Sequence, residues 1–342
     1  MSLRSLNVTI KIPKLLKDKL RNKKINQIYQ SFERSLNIDQ DFIVGVSGGP
    51  DSLALAFLAK IYSIKKQLKV KFFIVDHKLR PESTKESRYV KKILKKFFID
   101  TEVLTWYGEK PHSNIQSTAR KKRYELLISK CKNLKIHNIL LAHHQDDLFE
   151  NFFIRILRGS GLKGLISLSK KSKIDNINIL RPLLELKKRD LLFVSKNVFN
   201  FYVSDPSNED EKFLRIRIRK LLLKLEKEGL DENKLINTIK NLKYSNDTIS
   251  FYVKNNLRKN SFFFKKKNEI ILNDKFFAQP HEVVFRSLSN LIKTIGKNYY
   301  HVRGKKLEKM ISEIENESFS KATLGGCIIK KVKHTIIISK EY

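Results

Sequence analysis

Val44-Gly45-Val46-Ser47-Gly48-Gly49-Pro50-Asp51-Ser52 is the stretch whose reading decides the fold. An apolar run ends at Val46, two glycines turn the chain, and the apolar residues of LALAFLAKIYSIKK follow at three- and four-residue spacing. A buried strand therefore runs through a tight turn into a helix. Gly48 and Gly49 can take positive φ and carry no side chain to block an anion. Backbone amides and the helix N-terminus supply donors and partial positive charge, and Ser47 and Ser52 add hydroxyls, so the turn is built as a phosphate cradle.

Outward from this loop, β-rich runs at 41–46, 69–77, 101–106 and 138–143 alternate with amphipathic helical stretches near 85–98 and 116–130. That alternation predicts an α/β doubly wound parallel sheet, which binds ligands beyond the carboxyl ends of its strands. One such end carries Ala142-His143-His144-Gln145-Asp146-Asp147-Leu148-Phe149-Glu150-Asn151, leading into a helix. Asp146 and Glu150 are four apart, Asp147 and Glu150 three apart, so their carboxylates share the first turns of one helix. The pattern predicts a negative cluster facing the strand-end crevice, suited to Mg²⁺ or to a cationic substrate whose amine must lose a proton. His77 and Arg80 fall on the same rim.

Past the turn-forming residues Asp205-Pro206-Ser207-Asn208 the pattern changes to long Lys-rich helices near 211–228 and 231–257. A Phe- and Lys-rich segment containing Phe262-Phe263-Phe264-Lys265-Lys266-Lys267, helices near 279–294 and 303–316, and the terminal GGCIIKKVKHTIIIS predict a smaller α+β domain ending in a hairpin. The Phe/Lys run reads equally as a strand edge guarded by lysines or as a phosphate-contacting patch.

The 342 residues suit two domains. Lys and Arg number 70 against 35 acidic residues, a formal charge of +35, which calls for a polyanionic partner, nucleic acid first. Part of the excess also fits an AT-rich codon bias. No run reaches the roughly 20 apolar residues of a membrane span, and the first twenty residues lack a secretory apolar core, so a cytoplasmic protein without a membrane partner is expected. Cys131 and Cys327 are the only cysteines, which excludes a CxxC pair and a cysteine-rich metal site within this chain. Oligomeric state is not written in the sequence; a homodimer is left open.

The loop lacks the lysine of a Walker A motif and resembles the SGGxDS signature of the PP-loop ATP pyrophosphatases, which split ATP between its α and β phosphates. Beside a triphosphate, Asp51 is best used to hold Mg²⁺. Further segments resemble one PP-loop branch, the tRNA(Ile)-lysidine synthetases: VDHKLRPES (75–83), NIQSTARKKRYELL (114–127), HHQDDLFEN (143–151), RGSGLKGL (158–165), RPLL (181–184) and DPSNEDEKFLRIRIR (205–219), with a weaker echo in KATLGGCIIKK (321–331). The resemblance implies a PP-loop catalytic domain over 1–215, with a HUP-like nucleotide-binding fold, then a helical linker and a tRNA-binding C-terminal region over 216–342. It implies that ATP adenylates the C2 oxygen of the wobble cytidine of a CAU-anticodon tRNA(Ile), and that L-lysine then displaces AMP.

In that setting Ser47, Gly48, Gly49, Pro50, Asp51 and Ser52 contact ATP or its metal, and Asp51, Asp147 and Glu150 are the catalytic candidates. His143, Asp146, Asp147 and Glu150 are expected around the lysine, Arg215 and Arg219 on a carboxylate or phosphate, and Arg120, Arg123 and Tyr124 on tRNA or nucleotide. Two departures stand out. Asn151 replaces the threonine usual after this acidic motif, and Ile216 replaces an asparagine. The enzyme alternative is a PP-loop tRNA 2-thiocytidine-type thiolase, which commonly carries a CxxC pair where this chain has ARKKRYE.

Overall fold

The computed structural model describes residues 12–108, 115–204, 210–264, 269–297, 301–316 and 318–341. The turn cluster at 205–208, the lysines at 265–267 and residues 1–11 of the leading segment lie outside the described residues. The chain forms two compact units, Met1–Glu232 and Asn233–Tyr342.

In the first unit, helices α1 (Lys14–Leu20) and α2 (Lys23–Leu36) precede β1 (Phe42–Val46), α3 (Pro50–Lys66), β2 (Val70–Asp76), α4 (Ser83–Lys96), β3 (Thr101–Thr105), α5 (Ile115–Leu134) and β4 (Asn138–Leu140). There follow α6 (Gln145–Leu157), α7 (Leu162–Leu165), β5 (Lys171–Ile174), β6 (Ile177–Leu180), α8 (Lys188–Phe199) and α9 (Leu214–Lys227). The sheet order is β3-β2-β1-β4-β6-β5. All pairs are parallel except β5 with β6. Strand order turns about between β1 and β4, which places a topological switch point at the carboxyl end of β1, where the glycine loop begins.

The sheet is buried on both faces because its strands are apolar at successive positions rather than at alternate ones. Phe42, Val44, Phe72, Ile74 and Leu140 join the core beneath α2, α3 and α8, while Ile43, Phe73 and Ile139 join the one beneath α5. Gly45 marks a close approach on the α5 side, since a Cβ there would lie 3.1 Å from both Leu127 and Leu141. The β5–β6 hairpin was not separately expected, yet its turn is explicit: Asp175 and Asn176 take φ of 47° and 66°, a left-handed pair of the kind that closes two-residue hairpins.

The second unit opens with α10 (Glu232–Asn260) and continues through β7 (Ser261–Phe264), β8 (Glu269–Leu272), α11 (Asp274–Phe277), α12 (His281–Ile295), α13 (Gly304–Glu315), β9 (Lys321–Leu324), β10 (Cys327–Val332) and β11 (Thr335–Lys340). Its antiparallel sheet runs β7-β8-β11-β10-β9 and packs α12 and α13 around Leu272, Leu288, Ile292, Leu307, Ile329 and Ile338. Strand β7 is an edge, with Phe262, Phe263 and Phe264 all exposed.

The first unit extends past the 215/216 boundary read from the sequence, because α9 packs on α6. Ile216 explains part of that: at the position of the family's asparagine, it is buried, 7% exposed. Among the described residues no helix is long and apolar enough to cross a membrane.

Candidate functional site

The loop after β1 owes its shape to Gly48, whose φ of +84° is open to glycine and strained for other residues. Val203 donates its amide to the Gly48 carbonyl at 2.9 Å, tying the loop to the segment after α8. Gly49 is different: its φ of −69° suits any residue, and a Cβ there would meet only Ser47 Oγ, at 3.9 Å. Its hydrogen keeps the mouth of the cradle open. The loop is braced internally, with Ser52 Oγ accepting from Ser47 N at 3.1 Å and donating to Gly49 O at 2.9 Å. The first main-chain bond of α3 is Leu53 N to Gly49 O, which leaves the amides of Asp51 and Ser52 as first-turn donors.

Helix α6 begins at the end of the neighbouring strand β4. Its cap is His144, whose backbone amide donates to Asp147 Oδ2 at 3.0 Å. The His144 ring, 5% exposed as a residue, lies 3.5 Å from Asp51, 3.6 Å from Asp146 and 3.6 Å from Asp147. Burial alone would keep such an imidazole neutral, but the three carboxylates outweigh it and push the group up to about 10. His144 is therefore a buried cation joining the phosphate loop to the acidic helix.

The acidic helix is also neutralised from α9. Arg215 pairs with both Asp147 and Glu150, and Arg219 donates to Glu150 at 2.8 Å. The negative cluster expected from the sequence is thus charge-compensated: Glu150, only 1% exposed, has both carboxylate oxygens paired with arginines. Asp147 stays ionised. Its burial acts against the charge, but the cations of His144 and Arg215, with the His144 amide, hold it below the usual carboxylate range.

A cavity of about 370 Å³ lies between these elements. Ser47, Gly49, Asp51 and Ser52 line one side, His143, Asp147 and Arg215 another, and Arg120, Arg123 and Tyr124 of α5 a third, with His77 and Arg80 after β2. Pro50 turns its carbonyl to α8, accepting from Ser195 Oγ at 2.8 Å. Asp146 is held sideways by the amide of Lys188, at 3.2 Å, and neither it nor Glu150 and Arg219 lines the cavity. The acids predicted to share one face are thus divided between the cavity and its support.

Two cavity imidazoles stay neutral. Burial, with the charges of Arg120, Arg181 and Arg215 against that of Asp147, depresses His143 to about 3. Burial and Arg123 depress His77 to about 4, against Asp76. Neither ring nitrogen of His77 finds a hydrogen-bond partner among the described residues. Asp51 Oδ1 is likewise buried and has no hydrogen-bond partner among the described residues. The cradle, its free amides and this oxygen fit a phosphate chain and its metal.

The sequence reading missed His144 as a site residue, although its place directly before a first turn carrying two acids was the available signal. It also passed over Asp76, which is 2% exposed and accepts from Ser83 Oγ, Thr84 Oγ1 and Lys78 N, so that it shapes the loop bearing His77 and Arg80. Asn151, in the place of the family threonine, donates to Ser167 Oγ at 3.2 Å and so keeps a hydrogen bond there.

The raised His144 group makes stability depend on pH. Its contribution is complete below about 6.5, the unfolded value, and is lost as pH rises through about 10. Urea unfolding from pH 6 to 10 should show the wild type losing its advantage over His144→Gln, an advantage on the order of a few kcal/mol at the acid end. A difference that stayed constant across that range would mean His144 is not the cation.

The PP-loop domain family matches residues 18–226. Over 312 residues the chain is 34% identical to the tRNA(Ile)-lysidine synthase of Orientia tsutsugamushi, covering 87% of this chain and 69% of the relative. It is 31% identical over 328 residues to the enzyme of the same name from Rickettsia akari, covering 92% and 74%. Among solved structures, the U34-tRNA thiolase NcsA from Methanococcus maripaludis superposes with a TM-score of 0.55 at 16% identity, over 64% of this chain and 78% of that one, a likeness of fold.

Proposed function

This chain belongs to the PP-loop family and, within it, to the tRNA(Ile)-lysidine synthases, and from that premise we propose that it joins L-lysine to C2 of the wobble cytidine of a CAU-anticodon tRNA(Ile) in the cytoplasm, at the expense of ATP. The observation that carries this reading is one cavity lined by both the phosphate loop and Asp147 with Arg215. A triphosphate and an amino acid can meet there without a change of fold.

In the first step the cytidine C2 oxygen attacks the α phosphorus of ATP and the bond to pyrophosphate breaks. The amides of Asp51 and Ser52 receive the departing charge, a task for preorganised donors, while the Ser47 and Ser52 hydroxyls brace the loop that presents them. Asp51 would hold Mg²⁺, which would supply neutralisation of phosphate charge. In the second step the lysine ε-amine attacks C2, the C2–O bond breaks, and AMP leaves. The amine must first lose a proton, and Asp147, the α6 carboxylate that lines the cavity, is the acceptor this reading assigns. Arg215 spends Nε and one terminal nitrogen on Glu150 and Asp147, which leaves further donors for the carboxylate of the amino acid. His143, the neutral His77 and the α5 trio Arg120, Arg123 and Tyr124 are left to position nucleotide and target base.

A thiolase would need accessible thiols of lowered pKa. Cys131 and Cys327 are both buried and pushed up to about 12 and about 11 by that burial. The test supplies ATP, Mg²⁺, labelled lysine and the CAU-anticodon tRNA(Ile), with initiator tRNA as control. Label should enter the first tRNA only, with AMP and pyrophosphate released one for one. Equal labelling of both tRNAs, or a product that needs a sulfur donor, would reject the assignment.

A further inference from the structure

The long helix α10 has two faces. Leu235, Ile239, Val253, Asn256 and Asn260 are buried along one. The opposite face carries Tyr244 and Phe251, 58% and 59% exposed, and Tyr252, 53% exposed, stands on its flank. At 3.6 residues per turn, positions seven apart return to within about 20° of one another, so Tyr244 and Phe251 form one outward stripe, with Tyr252 about 100° round the helix from Phe251. Phe251 and Tyr252 meet edge to face at 5.6 Å, and Lys240 lies over the Tyr244 ring at 5.7 Å.

A solvated helix face is normally dressed in charges of both signs, and large rings left in water mark a contact surface. Between Asn233 and Asn260 there are six basic residues and one acidic residue, Asp247. Such a face offers flat apolar plates inside a positive field. That combination matches single-stranded nucleic acid, whose bases stack on rings while its phosphates meet Lys and Arg. Tyr244 and Phe251 are about 10 Å apart along the axis, near three base steps of about 3.4 Å.

We propose that the outward face of α10 is a stacking surface for unpaired nucleotides of the tRNA, with Tyr244 and Phe251 against bases, Tyr252 buttressing the Phe251 ring, and Lys240, Lys254 and Arg258 against phosphates. The proposal rests on the tRNA reading above and adds to it a surface made of residues that do not line the cavity, one that binds by stacking as well as by charge.

The experiment compares the full-length wild type with Tyr244→Ala/Phe251→Ala, Tyr244→Trp/Phe251→Trp and Lys240→Ala/Arg258→Ala in tRNA binding at several salt concentrations. All these residues but the buried stems of their neighbours face solvent, so thermal unfolding should be unchanged and serves as the control for folding. The alanine pair of aromatics should weaken tRNA binding tenfold to about a hundredfold with the salt slope intact. The tryptophan pair should bind like the wild type. The basic pair should instead flatten the slope by about 0.7–0.9 per charge removed. Unchanged affinity in the aromatic alanine variant, while the wild type binds tRNA and forms lysidine, overturns the surface and leaves the enzyme reading standing. A wild type that binds no tRNA overturns both. Sedimentation runs beside these assays, and a dimer that dissociates only in the aromatic alanine variant, with tRNA affinity unaltered, would assign the face to a second copy of the chain and overturn the proposal.

Discussion

A chain with valine in place of Gly48 should bind no ATP at concentrations that saturate the wild type, and it should also unfold earlier. Two effects combine. The φ of +84° is one that β-branched residues scarcely adopt, a cost of about 1–3 kcal/mol. A Cβ would further lie 2.8 Å from Val90 Cγ2 and 3.1 Å from Val203 Cγ2. Val90 is 1% exposed and β-branched, so it has no other rotamer to retreat into. The loop itself must move, and the amides that would face phosphate move with it. Gly49→Ala separates the two effects. With an ordinary φ and 3.9 Å to the nearest atom, it should keep the wild-type unfolding temperature and still weaken ATP, because its methyl occupies the mouth of the cradle. Calorimetric titration with Mg-ATP and thermal melts of both variants check this. ATP binding by the folded valine variant would remove the cradle from the account.

Why the cradle was legible and the acidic lattice was not comes down to range. Gly48, Gly49 and the apolar run that follows them act within one turn, so spacing alone reveals the strand, the bend and the helix. The alternation of β1 to β4 with helices is equally local and gives the sheet. The pairing of Arg215 and Arg219 with Asp147 and Glu150 spans more than sixty residues, and nothing in the spacing of α9 says which carboxylates it will meet. Those arginines, expected on a carboxylate or a phosphate, meet the protein's own carboxylates. His144 escaped notice for a related reason. Its charge depends on Asp51 as well as on its near neighbours, and the carboxylates of Asp51 and Asp146 converge only because β1 and β4 lie side by side.

Asp147→Asn should lower lysidine formation by a hundredfold or more, about 3 kcal/mol of transition-state stabilisation, while ATP affinity stays within a few-fold of the wild type. The two oxygens of Asp147 are already committed, Oδ2 to His144 N and Oδ1 to Arg215. An asparagine can satisfy only one of these donors. Its amide would confront the other with a donor, and the negative charge lying between His144 and Arg215 would be gone. Asp147 makes no hydrogen bond to the phosphate loop among the described residues and meets Asp51 through the His144 ring, so the cradle keeps its shape. The variant should therefore still release pyrophosphate when given tRNA, and stall before the amine attacks. Glu150→Gln makes the contrast: at 1% exposure and outside the cavity, that residue anchors α9, so its replacement should lower the unfolding temperature, and any loss of lysine transfer should follow from Arg215 losing its position. Raising the lysine concentration distinguishes them, because a misplaced Arg215 weakens substrate binding and is overcome by excess, whereas a missing proton acceptor on the cavity is not. Full lysidine formation by Asp147→Asn would transfer the proton-accepting role to another group, and loss of ATP binding in the same variant would mean that loop and helix are one unit, with no division of labour between the two steps.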